Sequence, residues 1–157
     1  MNRLRFLGND LTDTERLGRI LAEVLPEKST VALNGTLGAG KTRLVQAVAV
    51  ACGIPRADVV SPTFVLCQEY HGHRTIYHFD AYRLAGDDEF QQLGPQEYFD
   101  SPGIVFIEWA ERVRDSLPQD RLEIHIEVSG EDARTFDFIS TGPRHETVLD
   151  KLAIRLK

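Results

Sequence analysis

Eight consecutive residues, Gly35-Thr36-Leu37-Gly38-Ala39-Gly40-Lys41-Thr42, satisfy every specified position of the pattern G-x-x-x-x-G-K-[ST]. These residue types suit one task, holding the phosphates of a nucleotide. Glycines let backbone N–H groups turn inward around phosphate oxygens, and the helix that begins there points the positive end of its dipole at the same anion. Lys41 has the reach for the β- and γ-phosphates, and the Thr42 hydroxyl is a ligand for Mg²⁺. The bland alternative is a glycine-rich turn before an ordinary helix. Such turns rarely end in Gly-Lys-Thr between an apolar strand and an amphipathic helix.

A nucleoside triphosphate held this way needs Mg²⁺, and the metal or its water shell needs a carboxylate from a neighbouring strand end. Two stretches qualify. Ile76-Tyr77-His78-Phe79-Asp80 and Ile104-Val105-Phe106-Ile107-Glu108 each run into an acid, at the end where open α/β sheets place their ligands. Either acid could instead end its strand in solvent. For Glu108 that reading is weakened by a strand that is apolar throughout and by Trp109 directly after it. Asp80 keeps both readings, since Tyr82 and Arg83 could pair with it structurally.

The elements that must position these groups follow from hydrophobic period. Residues 30–34 form a short apolar, β-branched strand before the glycine loop, and Leu44, Val45, Val48, Ala51 and Cys52 recur at helical spacing up to Gly53. Upstream, Leu4 and Phe6 alternate with arginines as in a half-buried edge strand. Thr12-Asp13-Thr14-Glu15 then reads as a capping box for a helix striped by Leu17, Ile20, Leu21, Val24 and Leu25. Residues 56–64 read as a loop, and 64–70 and 75–80 as strands joined by His71-Gly72-His73-Arg74 in a hairpin. Short helices are expected over 87–93 and 96–99, a buried strand over 104–108, and a helical or turn-like segment over 109–117. Strands over 122–128 and 135–140 make a second hairpin, and Val148, Leu149, Leu152 and Leu156 stripe a final helix after Pro143. The sum is an α/β fold: one P-loop NTPase-like domain over 1–157, with a mixed sheet of about seven strands flanked by four or five helices.

At 157 residues and 42% hydrophobic content the chain can build one real core. Eighteen basic against 24 acidic residues leave a net charge of −6 with no basic cluster, which argues against direct grip on nucleic acid, DNA included. The start, Met1 to Phe6, is too short an apolar segment for a signal peptide, and the longest small-apolar run, 47–52, is far short of a membrane span. The expectation is a cytoplasmic protein with no membrane partner. Cys52 and Cys67 stand apart and read as reduced structural thiols, and His71-Gly72-His73 reads as a solvent-facing turn rather than a metal pair.

Taken in order, Gly38-Ala39-Gly40-Lys41-Thr42, Ser61-Pro62-Thr63-Phe64, Glu69-Tyr70, His78-Phe79-Asp80 with Tyr82-Arg83-Leu84, and Ile107-Glu108-Trp109 resemble the motifs of the bacterial TsaE (YjeE) family. The resemblance runs over about residues 11–140. It implies a small P-loop ATPase required for the threonylcarbamoyladenosine modification of tRNA. ATP would be bound by Gly35, Thr36, Leu37, Gly38, Ala39, Gly40, Lys41 and Thr42, and Mg²⁺ by Thr42 and Glu108. Asp80 and the Ser61-Pro62-Thr63 loop would respond to the γ-phosphate, so the catalytic candidates are Lys41, Thr63, Asp80 and Glu108. Adenine contacts would come from the start of the chain, with Thr12 or Thr14 as candidates. The implied partners are TsaB and TsaD, the latter transferring the threonylcarbamoyl group to adenosine 37 of tRNAs that read codons beginning with adenine; tRNA is reached only indirectly.

Two positions depart from the family pattern: Thr36 stands where an acid is common, and Arg43 where a second Thr or Ser is. Two other functions compete. A small-molecule or nucleotide kinase also couples a P-loop to a compact α/β domain, but it needs convergent arginines and a lid, whereas Arg83, Arg112, Arg114 and Arg134 are dispersed. A nucleotide-sensing module without turnover is the third reading. The chain has no Asn-Lys-x-Asp stretch, which disfavours GTP.

Overall fold

The structure is a computed structural model that describes residues 1–60 and 66–157. Residues 61–65, which carry the Ser61-Pro62-Thr63 loop and the start of the expected 64–70 strand, lie outside the described residues. In chain order the elements are β1 (Arg3–Gly8), α1 (Leu11–Val24), β2 (Ser29–Asn34), α2 (Lys41–Ala51), β3 (Cys67–His71) and β4 (Thr75–Asp80). They continue with α3 (Asp87–Gln91), α4 (Pro95–Phe99), β5 (Ile104–Glu108), β6 (Leu122–Val128), β7 (Arg134–Ser140) and α5 (Pro143–Arg155). Short 3₁₀ turns cover Arg56–Asp58 and Ala110–Ser116.

The strands form one seven-stranded mixed sheet in the order β1-β7-β6-β2-β5-β4-β3. Its centre is parallel: β2 pairs with both β5 and β6, and β5 pairs with β4. The hairpins β3–β4 and β6–β7 and the edge strand β1 are antiparallel. Both expected hairpins are present. Parallel strands are buried on both faces, which is why β2 and β5 read as continuous apolar runs. Val31, Leu33, Ile104 and Phe106 enter one core with α1, α2 and α5. Ala32, Val105 and Ile107 enter the other, with Phe79, Phe90, Phe99 and Val113. Phe79 stacks edge-on against Phe90 and Tyr98, with centroids 5.5 and 5.1 Å away, and this closes the second layer.

One local expectation is corrected. Helix α1 does not open on the Thr12–Glu15 box: its N-cap is Asp10, whose carboxylate accepts from Asp13 N–H at 3.1 Å. Asp13 in turn accepts from Asn9 N–H at 2.8 Å. The two Asp side chains meet backbone N–H groups on either side of the cap two residues earlier than expected, where Gly8 ends the preceding strand. At the other end of α1, Arg74 donates to the carbonyls of Ala22, Leu25 and Pro26 at 2.9, 2.5 and 2.9 Å, tying the β3–β4 hairpin to the helix terminus.

Helices α1 and α2 pack unusually close because Gly18 faces Ala47. A Cβ on Gly18 would meet Ala47 Cβ at 2.4 Å and the backbone of Ala47 and Val48 at 2.7 and 2.9 Å. Helix α5 has no side-chain cap of its own. Asp120 supplies one from the segment before β6, accepting from the backbone N–H groups of Arg144 at 2.9 Å and His145 at 3.3 Å and from His145 Nδ1 at 2.7 Å. Cys52 is buried and Cys67 half-buried, and neither is in a disulfide. Among the described residues no helix is long and apolar enough to cross a membrane.

Candidate functional site

Three parallel strand ends converge on the glycine loop. Register places Glu108 of β5 opposite Leu33 of β2 on one side and opposite Asp80 of β4 on the other. The two acids singled out in the sequence are therefore immediate neighbours on adjacent strands, and both are buried. The loop itself runs from the end of β2 into α2. Gly40 caps α2 in a left-handed conformation, with φ of 112°. At Gly35, a Cβ would lie 2.6 Å from the Ile126 carbonyl oxygen of β6. These glycines are thus required by backbone geometry as well as by the motif.

Lys41 is buried and donates from Nζ to the carbonyl oxygens of Gly35 at 2.5 Å and Thr36 at 3.1 Å. Its ammonium also lies 4.0 Å from the centroid of the Trp109 ring. Burial pushes this ammonium below its ordinary range, an effect opposed by the charges of Glu108, Glu111 and Asp80. Trp109 holds a left-handed backbone at φ of 58°, costly for an aromatic residue, and so turns its ring from the end of β5 toward Lys41. Tyr82 packs against the same indole with centroids 4.9 Å apart.

The Thr42 hydroxyl donates to Glu108 Oε2 at 2.7 Å. The same oxygen accepts from His78 Nε2 at 2.5 Å, and the Tyr70 hydroxyl lies 3.4 Å from His78 Nδ1. Asp80 accepts from the Tyr82 backbone N–H at 2.8 Å, so the structural pairing considered for this acid exists alongside its place in the site. A cavity of about 250 Å³ is lined by Leu37, Gly38, Ala39, Gly40, Lys41, Thr42, Arg43, Asp80, Glu108 and Trp109. A hydroxyl and a carboxylate in direct contact beside a phosphate-type loop are hard oxygen donors, the chemistry that suits Mg²⁺. Among the described residues there is no group of three or more His, Cys, Asp and Glu able to hold a metal by themselves.

Of the residues singled out from sequence, Gly38, Ala39, Gly40, Lys41, Thr42, Asp80 and Glu108 come together around this cavity. Gly35 and Thr36 are joined to it through their carbonyls on Lys41, and Leu37 is 79% exposed at its rim. Thr63 lies outside the described residues. Thr12 is exposed on the first turn of α1, while Thr14 is buried and lines a second cavity beside the loop with Leu11, Gly38, Gly40, Arg43 and Arg134. Arg134 anchors the loop from β7, donating from Nε to the Ala39 carbonyl at 2.8 Å. Sequence reasoning assigned no role to Arg134, His78 or Tyr70. The signals in the chain were a histidine two residues before Asp80 in a largely apolar strand, and the place of Tyr70 and His78 within the family-like stretches Glu69-Tyr70 and His78-Phe79-Asp80.

Comparison with known proteins agrees with this geometry. A family model described as threonylcarbamoyl adenosine biosynthesis protein TsaE matches residues 8–136. The tRNA threonylcarbamoyladenosine biosynthesis protein TsaE of Bacillus subtilis is 36% identical over 154 residues, covering 98% of this chain and 96% of that protein. Its counterpart from Treponema pallidum is 41% identical over 125 residues, covering 80% of this chain and 92% of its own length. The crystal structure of Bacillus subtilis YdiB superposes with a TM-score of 0.82 at 29% identity, covering 99% of this chain and 97% of that one.

Proposed function

The chain belongs to the TsaE family, whose place is in the biosynthesis of threonylcarbamoyladenosine in tRNA, and from that membership we propose a Mg²⁺-dependent P-loop ATPase acting with TsaB and TsaD in the threonylcarbamoylation of adenosine 37. The observation that carries this reading is the 2.7 Å contact between Thr42 Oγ1 and Glu108 Oε2 at the mouth of the loop. It joins the helix end of the phosphate motif to the acid that ends a buried parallel strand, two groups 66 residues apart in sequence.

Lys41 is the cation of the site, and its bonds to the Gly35 and Thr36 carbonyls are exchanged for phosphate oxygens when ATP enters. The buried ammonium then regains a full counter-charge in place of two carbonyl dipoles. Thr42 and Glu108 would hold Mg²⁺, which would neutralise the charge that builds on the β- and γ-phosphates. Trp109 and Tyr82 wall this end of the site and keep water from Lys41. Asp80, one strand over, serves turnover rather than binding, acting on the γ-phosphate side together with the Ser61-Pro62-Thr63 loop. The nucleotide base occupies the cavity between the start of α1 and the loop.

Arg112 lies against Tyr82, and Arg134 is committed to the Ala39 carbonyl, so neither is poised as an arginine that neutralises the transferring phosphoryl group. Turnover is slow alone and faster in the TsaB–TsaD complex. The net charge of −6 agrees with a cytoplasmic protein that meets tRNA through its partners. ATP turnover measured with and without TsaB and TsaD tests the proposal, and stimulation is the expected result. Transfer of labelled phosphate to a small acceptor would instead identify a kinase. Binding without turnover in every condition would identify a sensing module.

A further inference from the structure

We propose that His78 is a positioning residue that fixes the Glu108 carboxylate for the divalent cation, with Tyr70 setting the orientation of the imidazole. The inference rests on the functional reading above and adds to it which side chains prepare the metal acid. His78 aligns with Phe106 in the parallel β4–β5 pair, two residues before the Asp80–Glu108 pair, so its ring projects on the same face of the sheet as Glu108. It is fully buried, at 0% exposure, in a strand whose remaining inward residues are apolar or belong to the site. A histidine so placed must have its polar atoms met.

Both are met by one chain of hydrogen bonds. A carboxylate accepts and does not donate, so His78 Nε2 is the donor in its 2.5 Å bond to Glu108 Oε2. In the Nε2–H tautomer Nδ1 is left as an acceptor, and the Tyr70 hydroxyl lies 3.4 Å from it. Tyr70 is itself buried in β3 and its hydroxyl also lies 3.3 Å from the Val60 carbonyl, so its single proton is shared between that oxygen and His78 Nδ1. Its position follows from the antiparallel hairpin, in which Tyr70 aligns with Ile76. Oε2 therefore receives two donors, Thr42 and His78, from opposite elements. The carboxylate cannot swing about its side chain without losing the histidine bond. That is how an outer hydrogen-bond partner raises metal affinity: it removes the freedom a ligand would otherwise lose on binding.

The arrangement separates cation binding from nucleotide binding, because the imidazole reaches Glu108 and the P-loop backbone is held by other groups, among them Arg134. The chain's single tryptophan, Trp109, follows Glu108 directly and provides a fluorescence signal at the site. The test compares wild type, His78→Leu and His78→Gln by ADP titration without divalent cation and by Mg²⁺ titration at saturating ADP. His78→Leu is expected to raise the Mg²⁺ concentration at half-saturation by about tenfold or more, while the Mg²⁺-free ADP affinity stays within about twofold. His78→Gln keeps an N–H at nearly the same reach and is expected to recover most of the loss.

Equal Mg²⁺ half-saturation in wild type and His78→Leu, or equal shifts in the two variants, would overturn the proposal by reducing His78 to packing. Should the leucine variant not fold, the ¹⁵N tautomer of His78 in the wild-type chain decides instead. Protonation at Nε2 is expected, with a shift of that signal on adding Mg²⁺ and ADP; a proton on Nδ1 alone would overturn it. A wild-type chain that binds ADP with no response to Mg²⁺ would overturn the functional reading itself, which the variants by themselves do not address.

Discussion

In the proposed function Lys41 and the two acids carry the chemistry, and each makes a different prediction. Lys41 has two carbonyl partners that, in the proposed function, it would exchange for phosphate oxygens, and charge-assisted hydrogen bonds contribute about 1.5–3 kcal/mol each. Lys41→Ala should therefore weaken Mg²⁺-ATP binding by about a hundredfold or more, as read by calorimetric titration. Unchanged affinity would end the P-loop reading. Glu108 is joined to Thr42 and His78, whereas Asp80 accepts from the Tyr82 backbone. Glu108→Gln should raise the Mg²⁺ requirement by about tenfold, while Asp80→Asn should lower single-turnover rates by about a hundredfold with binding within about twofold. Similar mild losses in both would place the metal elsewhere.

At the scale of elements, the site depends on helices that cannot shift. Helix α2 carries Lys41 and Thr42, and it lies against α1 at the Gly18–Ala47 contact. Gly18→Ala would force backbone apart, because the intruding methyl meets main-chain atoms of Ala47 and Val48 under 3.0 Å. We expect a loss of about 1–3 kcal/mol in urea unfolding, and weaker nucleotide binding through the displaced loop. Helix α5 makes a pH-dependent prediction. His145 is fully buried, its Nε2 has no hydrogen-bond partner among the described residues, and burial pushes its pKa below the ordinary 6.5, an effect the Asp120 bond opposes.

The unfolded chain then binds the proton before the folded one does, so this contribution to stability is complete above about pH 6.5 and falls away as pH drops below it. Asp120 is subject to a burial effect in the opposite direction, but the hydrogen bonds from His145 and Arg144 prevail and hold it below 3.8; its own contribution disappears only below that pH. Melting temperatures between pH 7.5 and 5.5 should fall more steeply for wild type than for His145→Asn. Parallel slopes would remove His145 from the account.

At the scale of the whole molecule, a chain of 157 residues with a net charge of −6 presents its proposed nucleotide site at one end of its sheet and no basic cluster in its sequence. Such a chain should act by changing a partner's state with nucleotide rather than by gripping tRNA. We expect ATP turnover to rise at least about tenfold when TsaB and TsaD are added, the order expected when a partner supplies a missing charge-neutralising group. tRNA binding by the isolated chain should be undetectable at physiological salt. Tight tRNA binding, or turnover indifferent to the partners, would contradict this picture.

Much of this was legible along the chain, and the reason is range. The phosphate loop, the strand before it and the helix after it are contiguous, and their hydrogen bonds are local, so Gly35 to Thr42 announce them directly. The runs ending in Asp80 and Glu108 were readable because a strand buried on both faces must be apolar until it reaches its end. Where two local solutions compete, sequence reading chose the wrong one: Asp10 and Thr12 can each start a helix, and the preceding strand selects Asp10. Other features have no local cause at all. That Asp80 and Glu108 are neighbours depends on the parallel register of β4 and β5, strands separated by two helices. That His78 touches Glu108, Arg74 closes α1, and Arg134 holds the loop depends on pairings between residues 30 to 95 positions apart. Alternation in a strand reveals that a residue changes face, but only the packed sheet decides what waits on that face.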